Sequence, residues 1–301
     1  MNPKNKIAAG ELFLRFYRKR ISSFLVTIYK AGITGKDKDI HKLRVDLKKV
    51  IALFNFFEIL EFSGFDIRKN TKQFRDIFRQ AGKIREIQVN LQYIEKNITV
   101  FADTSSFVKF LKKEQKRYTR LFISAVVGFD EKKLRTVSKT VKKFCSKIES
   151  GSIADKSDAF LFRKAVMVKK LAEHPEKDEN VHKIRQELKK MGAIASLLAQ
   201  VSPGQEIKQL IAKLHQTEVL IGEWHDRIVL LESLNQFVKS ESGIHQELVK
   251  KLEDLKQSIE IDQTKRLNTI MPMVIELTDV IRQKPIIDKE KNNLIQKQRN
   301  K

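Results

Sequence analysis

One cysteine, Cys145, in 301 residues excludes an intrachain disulfide and fits a reducing compartment. An isolated cysteine of this kind is expected to be packed rather than reactive. Glycine (11) and proline (5) are scarce, so long segments run without a breaker. The longest apolar stretch, around Leu121 to Phe129, falls short of the roughly 18–20 residues a spanning helix needs, which excludes membrane insertion. The N-terminus lacks an apolar run followed by a small-residue cleavage site, so no signal peptide is expected. Acidic residues are the minority, 37 Asp and Glu against 60 Lys and Arg. The chain also has no phosphate-cradling glycine loop, no Gly-x-Ser-x-Gly and no Cys/His pair close in sequence. These absences point away from an enzyme and from any cofactor.

The net charge of +23, with a sequence pI near 9.9, points to phosphate-rich partners: nucleic acid, anionic lipid or a phosphate polymer. The excess is uneven. Residues 1–150 hold 34 Lys and Arg against 15 Asp and Glu, whereas residues 151–301 hold 26 against 22. Hydrophobic residues make up 41% of the chain, enough for a core. They recur at helical spacing almost throughout, and β-branched alternation is rare, so the fold is expected to be all-α. Breaks are expected at Ala31–Asp39, Phe62–Arg68, Ile98–Ser106, Gly128–Glu131, Ser150–Ser157, Glu173–Glu179, Val201–Gln205 and Ser240–Gly243, most of them rich in turn and cap residues. From about Arg282 the tail is polar and expected to fray.

The sequence repeats itself. IHKLRVDLKK (Ile40–Lys49) returns as VHKIRQELKK (Val181–Lys190), at an offset of 141. GKIREIQVNL (Gly82–Leu91) is echoed by GEWHDRIVLL (Gly222–Leu231), at an offset of 140. Phe16 with Lys19 and Arg20 matches Phe160 with Arg163 and Lys164, at an offset of 144. Three blocks in the same order indicate a tandem duplication. We read an N-terminal tail over 1–11, one helical repeat over 12–150, a second over 151–281 and a polar tail over 282–301.

On a helix at about 100° per residue, His41, Arg44 and Lys48 share an arc of about 60°. Lys49 flanks them, and Leu43, Leu47, Val50 and Phe54 lie opposite. His182, Arg185 and Lys189 repeat the row, flanked by Lys190, with Ile184, Leu188, Met191 and Ala195 opposite. Cations one helical turn apart suit a chain of phosphates. Arg offers a planar fork, Lys a mobile charge, and a histidine near an anion is favoured in its protonated form. For one row alone, a solvated helix face explains the pattern. Drift would rarely keep the same polar residues on two free surfaces. Two rows brought together by pseudo-symmetry would form a continuous basic groove or channel.

The paired pattern His-x-x-Arg-(x)3-Lys-Lys, with the Gly-led helix downstream of each copy, resembles the conserved-histidine α-helical domain (CHAD) family. KRYTRLF (Lys116–Phe122) is similar to that family's Arg-Tyr block. The resemblance covers about Leu12 to Ile281. It implies two pseudo-symmetric helical bundles joined in one body around a central basic channel that binds inorganic polyphosphate; such binding, in the cytoplasm, would target the protein to polyphosphate granules, buffer the polymer or recruit an enzyme. Residue by residue, it assigns His41, Arg44, Lys48 and Lys49 to the first motif and His182, Arg185, Lys189 and Lys190 to the second. Lys19, Arg20, Arg163 and Lys164 become wall residues, and Arg85 and His225 hold equivalent places in the later motif. The chain departs from the pattern at Glu86 and Gln88, where the family has Asp and frequently a second acid, and at Arg227. Glu86 and Asp226 are expected to pair with nearby cations.

Other readings stay open. RNA or DNA binding through the phosphate backbone needs only Lys and Arg. Against it, the 19 Phe, 4 Tyr and single Trp sit mostly at apolar helical positions, so no stacking platform is evident. Trp224 is read as core. Divalent metal binding would draw on His41, His182 and His225, but their Lys and Arg neighbours repel cations. Phosphotransfer through His41 or His182 is the remaining alternative.

Overall fold

A computed structural model describes residues 9–61, 66–97, 105–148, 150–240 and 246–283, and among them the chain is entirely helical, without strands. The helices are α1 (Ala9–Thr34), α2 (Asp37–Ile59), α3 (Ile67–Lys96), α4 (Ser105–Val127), α5 (Glu131–Cys145), α6 (Ser150–Ala172), α7 (Asp178–Val201), α8 (Gln205–Ser240) and α9 (Gln246–Gln283). Their ends follow local chemistry. Asp66 accepts from the Lys69 amide at 3.0 Å, and Asp130 from the amides of Lys132 and Lys133 at 2.8 and 3.1 Å, so both act as N-caps. Gly35, at φ 58°, closes α1 by donating its amide to Ala31 O at 2.9 Å. At the end of α2 the left-handed position falls to Glu61 (φ 55°), and Lys156 of α6 holds it there, donating to Leu60 O at 3.0 Å and Glu61 Oε2 at 2.9 Å.

Most expected breaks fall where the helices end. The exception is Ser150–Ser157, which lies inside α6; the break comes earlier, after Cys145. Ile153, Ser157, Leu161, Ala165, Val168 and Ala172 form one buried stripe at helical spacing, so the small Ser157 continues the apolar face instead of ending it. The expected fraying tail lies almost wholly outside the described residues, which end at Gln283. In the first half the chain breaks at Gly128–Asp130 between α4 and α5, whereas α9 continues through Pro272.

Packing follows chain order in both halves: α1 on α2, α2 on α3, α3 on α4, and likewise α6 on α7, α7 on α8, α8 on α9. The ring of helices is closed by α5 against α1 and by α9 against α6. Across the halves, α2 meets α7 and α3 meets α8. The larger apolar core runs from Ala9 to Ile281 through both halves. Its first-half portion is rich in phenylalanine, with edge-on ring pairs Phe13–Phe56 and Phe24–Phe74 at 5.1 and 5.4 Å. Trp224 is buried in it, as expected. Cys145 is buried as well, and burial pushes its thiol up to about 12, which makes it inert.

A second, smaller core lies at the far ends of the long helices. Ile87 and Ile94 of α3, Phe107 and Leu111 of α4, Leu230, Leu234 and Phe237 of α8, and Leu252, Leu255 and Ile259 of α9 converge there. Phe237 is at its centre, 5.4 Å from the Phe107 ring and 5.5 Å from the Phe110 ring. Phe237→Ala is expected to cost about 3–5 kcal/mol in urea denaturation, as a cavity where two halves meet. An unchanged midpoint would contradict this distal core.

Candidate functional site

On α2 and α7 the apolar stripes lie where the sequence places them: Leu43, Leu47, Val50 and Phe54 are fully buried, as are Ile184, Leu188, Met191 and Ala195. Burial of these stripes fixes the rotation of each helix. Arg44, Arg185 and Lys189 are half-buried, while His41, Lys48 and His182 are exposed. Because α2 and α7 touch, residues of both rows become electrostatic neighbours. Burial pushes the Lys189 ammonium down to about 8, and Arg185, Lys48 and Arg44 push the same way against Glu218. Burial also lowers Arg44, with Arg85 and Arg185 adding to it and Glu86 opposing. Arg185 is lowered by burial, with Asp226, Glu218 and Glu86 opposing.

Helices α3 and α8 supply the sides. Arg44 Nη1 donates to Phe78 O at 3.0 Å, and its guanidinium lies 4.5 Å from the Phe78 ring centre. A Cβ on Gly82 would stand 2.8 Å from Arg44 Nη1, so the glycine in GKIRE leaves room for that guanidinium. On the other side, His225 of α8 lies 5.6 Å from His182, ring centre to ring centre. Burial pushes His225 down to about 3, helped by Arg185, His182, Lys189 and Lys83. It is therefore neutral near pH 7, and its Nδ1 is buried without a hydrogen-bond partner among the described residues. The Arg185 Nε is in the same position.

The flanking cations form two matching clasps. Arg20 lies 3.5 Å from Asp46 and over the Phe16 ring, and Ser23 Oγ donates to Asp46 at 2.5 Å. Lys164 lies 2.8 Å from Glu187 and over the Phe160 ring, and Lys190 reaches the same carboxylate at 2.8 Å. Asp46 and Glu187 are buried acids within the repeated motifs, which sequence reasoning passed over in favour of the cations. Lys49 is lowered by burial, with Arg20 and Lys19 beside it and Asp46 opposing. Arg163 lies elsewhere, near Glu61 and its partner Lys156. His41 is exposed one turn before Arg44.

Of the acids, Glu86 pairs with Lys83 at 2.9 Å, as expected. Asp226 makes no ion pair within 4 Å among the described residues. Burial raises its carboxyl in spite of Arg185, Arg227, Lys189 and Arg85. Two participants were missed. Lys83 sits inside the quoted GKIRE block. Glu218, which carries no motif signal, bridges the halves by accepting from Lys48 at 3.2 Å. Glu179 precedes His182 at a carboxylate–histidine ligand spacing. Even so, no group of three His, Cys, Asp or Glu able to hold a metal occurs among the described residues. His215 is an exposed helix residue, and His174 lies between α6 and α7, both as expected; His245 lies outside the described residues. A concavity of about 410 Å³, lined by Asp254, Ile261, Lys265 and their neighbours on α9, holds none of these cations.

A family model described as CHAD domain matches residues 26–235, more than two thirds of the chain. The crystal structure of the CHAD domain from the plant Ricinus communis is similar in fold, with a TM-score of 0.68 over 89% of this chain and 91% of that one, at 14% identity. No curated protein matches the chain.

The Lys189 shift fixes a stability test. The folded value of about 8 lies below the ordinary 10.5, so from pH 8 to 10.5 the unfolded chain holds more protons. Stability from this group therefore rises with pH across that window, and below it the buried charge is a constant cost. Lys189→Met is expected to raise Tm at pH 7, with the gain shrinking as pH passes from 8 towards 10.5. Equal melting of the two proteins at pH 7 would contradict the placement of Lys189 among the cations.

Proposed function

The chain belongs to the CHAD domain family, and from that premise we propose that it binds inorganic polyphosphate along the cationic face where α2 meets α7. The observation that carries this reading is the gathering of Arg44, Arg185 and Lys189, half-buried, with the exposed Lys48 beside them, from two matched rows, so that Arg185 lowers Arg44 and both arginines with Lys48 lower Lys189. A linear polyanion relieves that repulsion along its whole length, whereas a single small anion relieves it at one point. Arg44 and Arg185 serve as planar forks for phosphate oxygens, with Lys48 and Lys189 as adjacent point charges. Arg85, Lys83, His182 and the unpartnered His225 Nδ1 flank them. Lys19, Arg20, Lys49, Arg163, Lys164, Lys190 and His41 contribute to the surrounding positive potential, and Arg20, Lys164 and Lys190 already hold buried acids.

Binding by charge and shape needs no nucleophile, so we read the protein as a non-catalytic binder, acting in the cytoplasm at polyphosphate granules. No described helix is long and apolar enough to cross a membrane. Each phosphate contact releases counterions, so affinity falls steeply with salt and grows with polymer length. Protonation of a histidine at the site would tighten binding as pH falls through the histidine range. His225, held at about 3, does not titrate there in the free protein. Lys189, at about 8, does so at mildly alkaline pH, and a bound polyanion raises it. Affinity therefore declines as pH rises past 8, and binding near that pH takes up a proton.

Arg44→Glu and Arg185→Glu are each expected to remove most polyphosphate binding, by a hundredfold or more (about 3 kcal/mol for a reversed, partly buried charge), with the helical CD spectrum and Tm retained. Intact affinity in either variant, or affinity insensitive to salt, would overturn this assignment.

A further inference from the structure

On the face formed by α1 with α4 and α5, away from the α2 and α7 rows, a basic half adjoins an exposed apolar half. Close approaches set the register: Gly35 against Thr119, Gly32 against Val126, Tyr29 bonded to Glu131, Tyr17 bonded to Ser138 at 2.9 Å, and Gly10 against Cys145. Thus α4 and then α5 run antiparallel along α1. On α1, Arg15, Arg18, Ser22, Val26, Tyr29 and Ile33 recur at three- and four-residue spacing on the outward side of that seam. On α4 and α5, Ile123, Val127, Arg135, Lys139 and Lys142 do the same. Both stripes change from basic to apolar at the same level.

The apolar half is open: Val26 is 66% exposed, Ile33 86% and Val127 80%. Aliphatic side chains this exposed and this close together are unusual beside charge, and they mark an interaction surface. On the basic half Arg15 pairs with Glu11 at 2.7 Å, and most of the other cations are unpartnered. Among the described residues, Arg18, Lys132, Arg135, Lys139, Lys142 and Lys143 make no ion pair within 4 Å. The matching stretch of α9 instead carries Glu276 and Asp279, which pair with Lys213 at 3.0 Å and Lys169 at 2.6 Å. The basic face is thus particular to the first half and does not come from the repeat.

We propose that this α1/α4/α5 face docks on an anionic lipid bilayer, with Val26, Ile33, Ile123 and Val127 entering the interface and the cations of α1 and α5 over the lipid phosphates. The chemistry selects this partner. A polynucleotide would match the cations but gain nothing from valine and isoleucine, which do not stack with bases. A second copy of the chain would cover the apolar side chains but bring the basic halves of two molecules together. An anionic bilayer satisfies both halves at once. Such docking stays at the interface and requires no spanning helix.

The test is flotation of the full chain with vesicles of phosphatidylcholine alone or with phosphatidylglycerol added, in the absence of polyphosphate. The chain is expected to float only with the anionic vesicles. Lys139→Gln with Lys142→Gln should weaken this by roughly thirtyfold, and Ile33→Ser with Val127→Ser by about tenfold. All four positions are exposed, so both variants should fold, and both should keep polyphosphate affinity. Arg44→Glu should float like the wild type, so failure of the polyphosphate reading leaves this result standing. Equal binding to neutral vesicles, no binding to either, or full binding by the Ile33→Ser/Val127→Ser variant would overturn the proposal. So would a change in oligomeric state of that variant without a change in flotation.

Discussion

The site depends on cations held near other cations, in a position that the apolar core imposes. Arg44, Arg185 and Lys189 are half-buried where α2 meets α7, and burial lowers all three. That arrangement persists because the opposite faces of the same helices are fully buried, from Leu43 to Phe54 and from Ile184 to Ala195. The apolar stripe sets the rotation of each helix, and the cationic row follows as its other side. Acids border the cluster without cancelling it: Glu218, Glu86 and Asp226 oppose the lowering of Arg185, and Asp226 does so with no ion pair within 4 Å among the described residues. Asp46 and Glu187 are clasped by Arg20, Lys164 and Lys190, while Glu218 and Glu86 hold Lys48 and Lys83.

Much of this was legible in the sequence because helical periodicity is a local signal. Helix type, nearly all the breaks and the buried faces of α2 and α7 follow from the spacing of apolar residues. The repeat then singled out Arg44, Arg185, Lys48 and Lys189 among sixty cations. The misplaced break at Ser150–Ser157 had a physical origin: a run of small polar residues resembles a turn, yet Ser157 is small enough to continue a buried stripe. What periodicity could not supply was partnership across the chain. Glu218 meets Lys48 through a contact 170 residues apart, and no motif marks it. The role of Gly82 was equally hidden, since its lack of a Cβ matters only once Arg44 lies across α3. Likewise, the neutrality of His225 follows from burial beside Arg185 and Lys189, which its own neighbours in sequence do not disclose.

The uneven charge of the two halves also finds a structural place. The matched rows divide their cations evenly between α2 and α7, so they do not account for a first half far more basic than the second. The surplus lies to a large degree on α4 and α5, each with six Lys and Arg against one acid, whereas α9 has six against seven, and its Glu276 and Asp279 are in ion pairs. Shared positions thus describe the site common to both halves, and the departure from them describes a surface that only one half has.

The most direct measurement is a competition titration at physiological salt. Labelled long-chain polyphosphate bound to the intact chain would be displaced by unlabelled polyphosphate, single-stranded RNA and duplex DNA, matched in phosphate concentration. The account expects polyphosphate to compete far better than either nucleic acid, because the partly buried rows fit a narrow chain of phosphates without bases. Equal or better competition by RNA or DNA would contradict it and make the positive charge a general surface for polyanions.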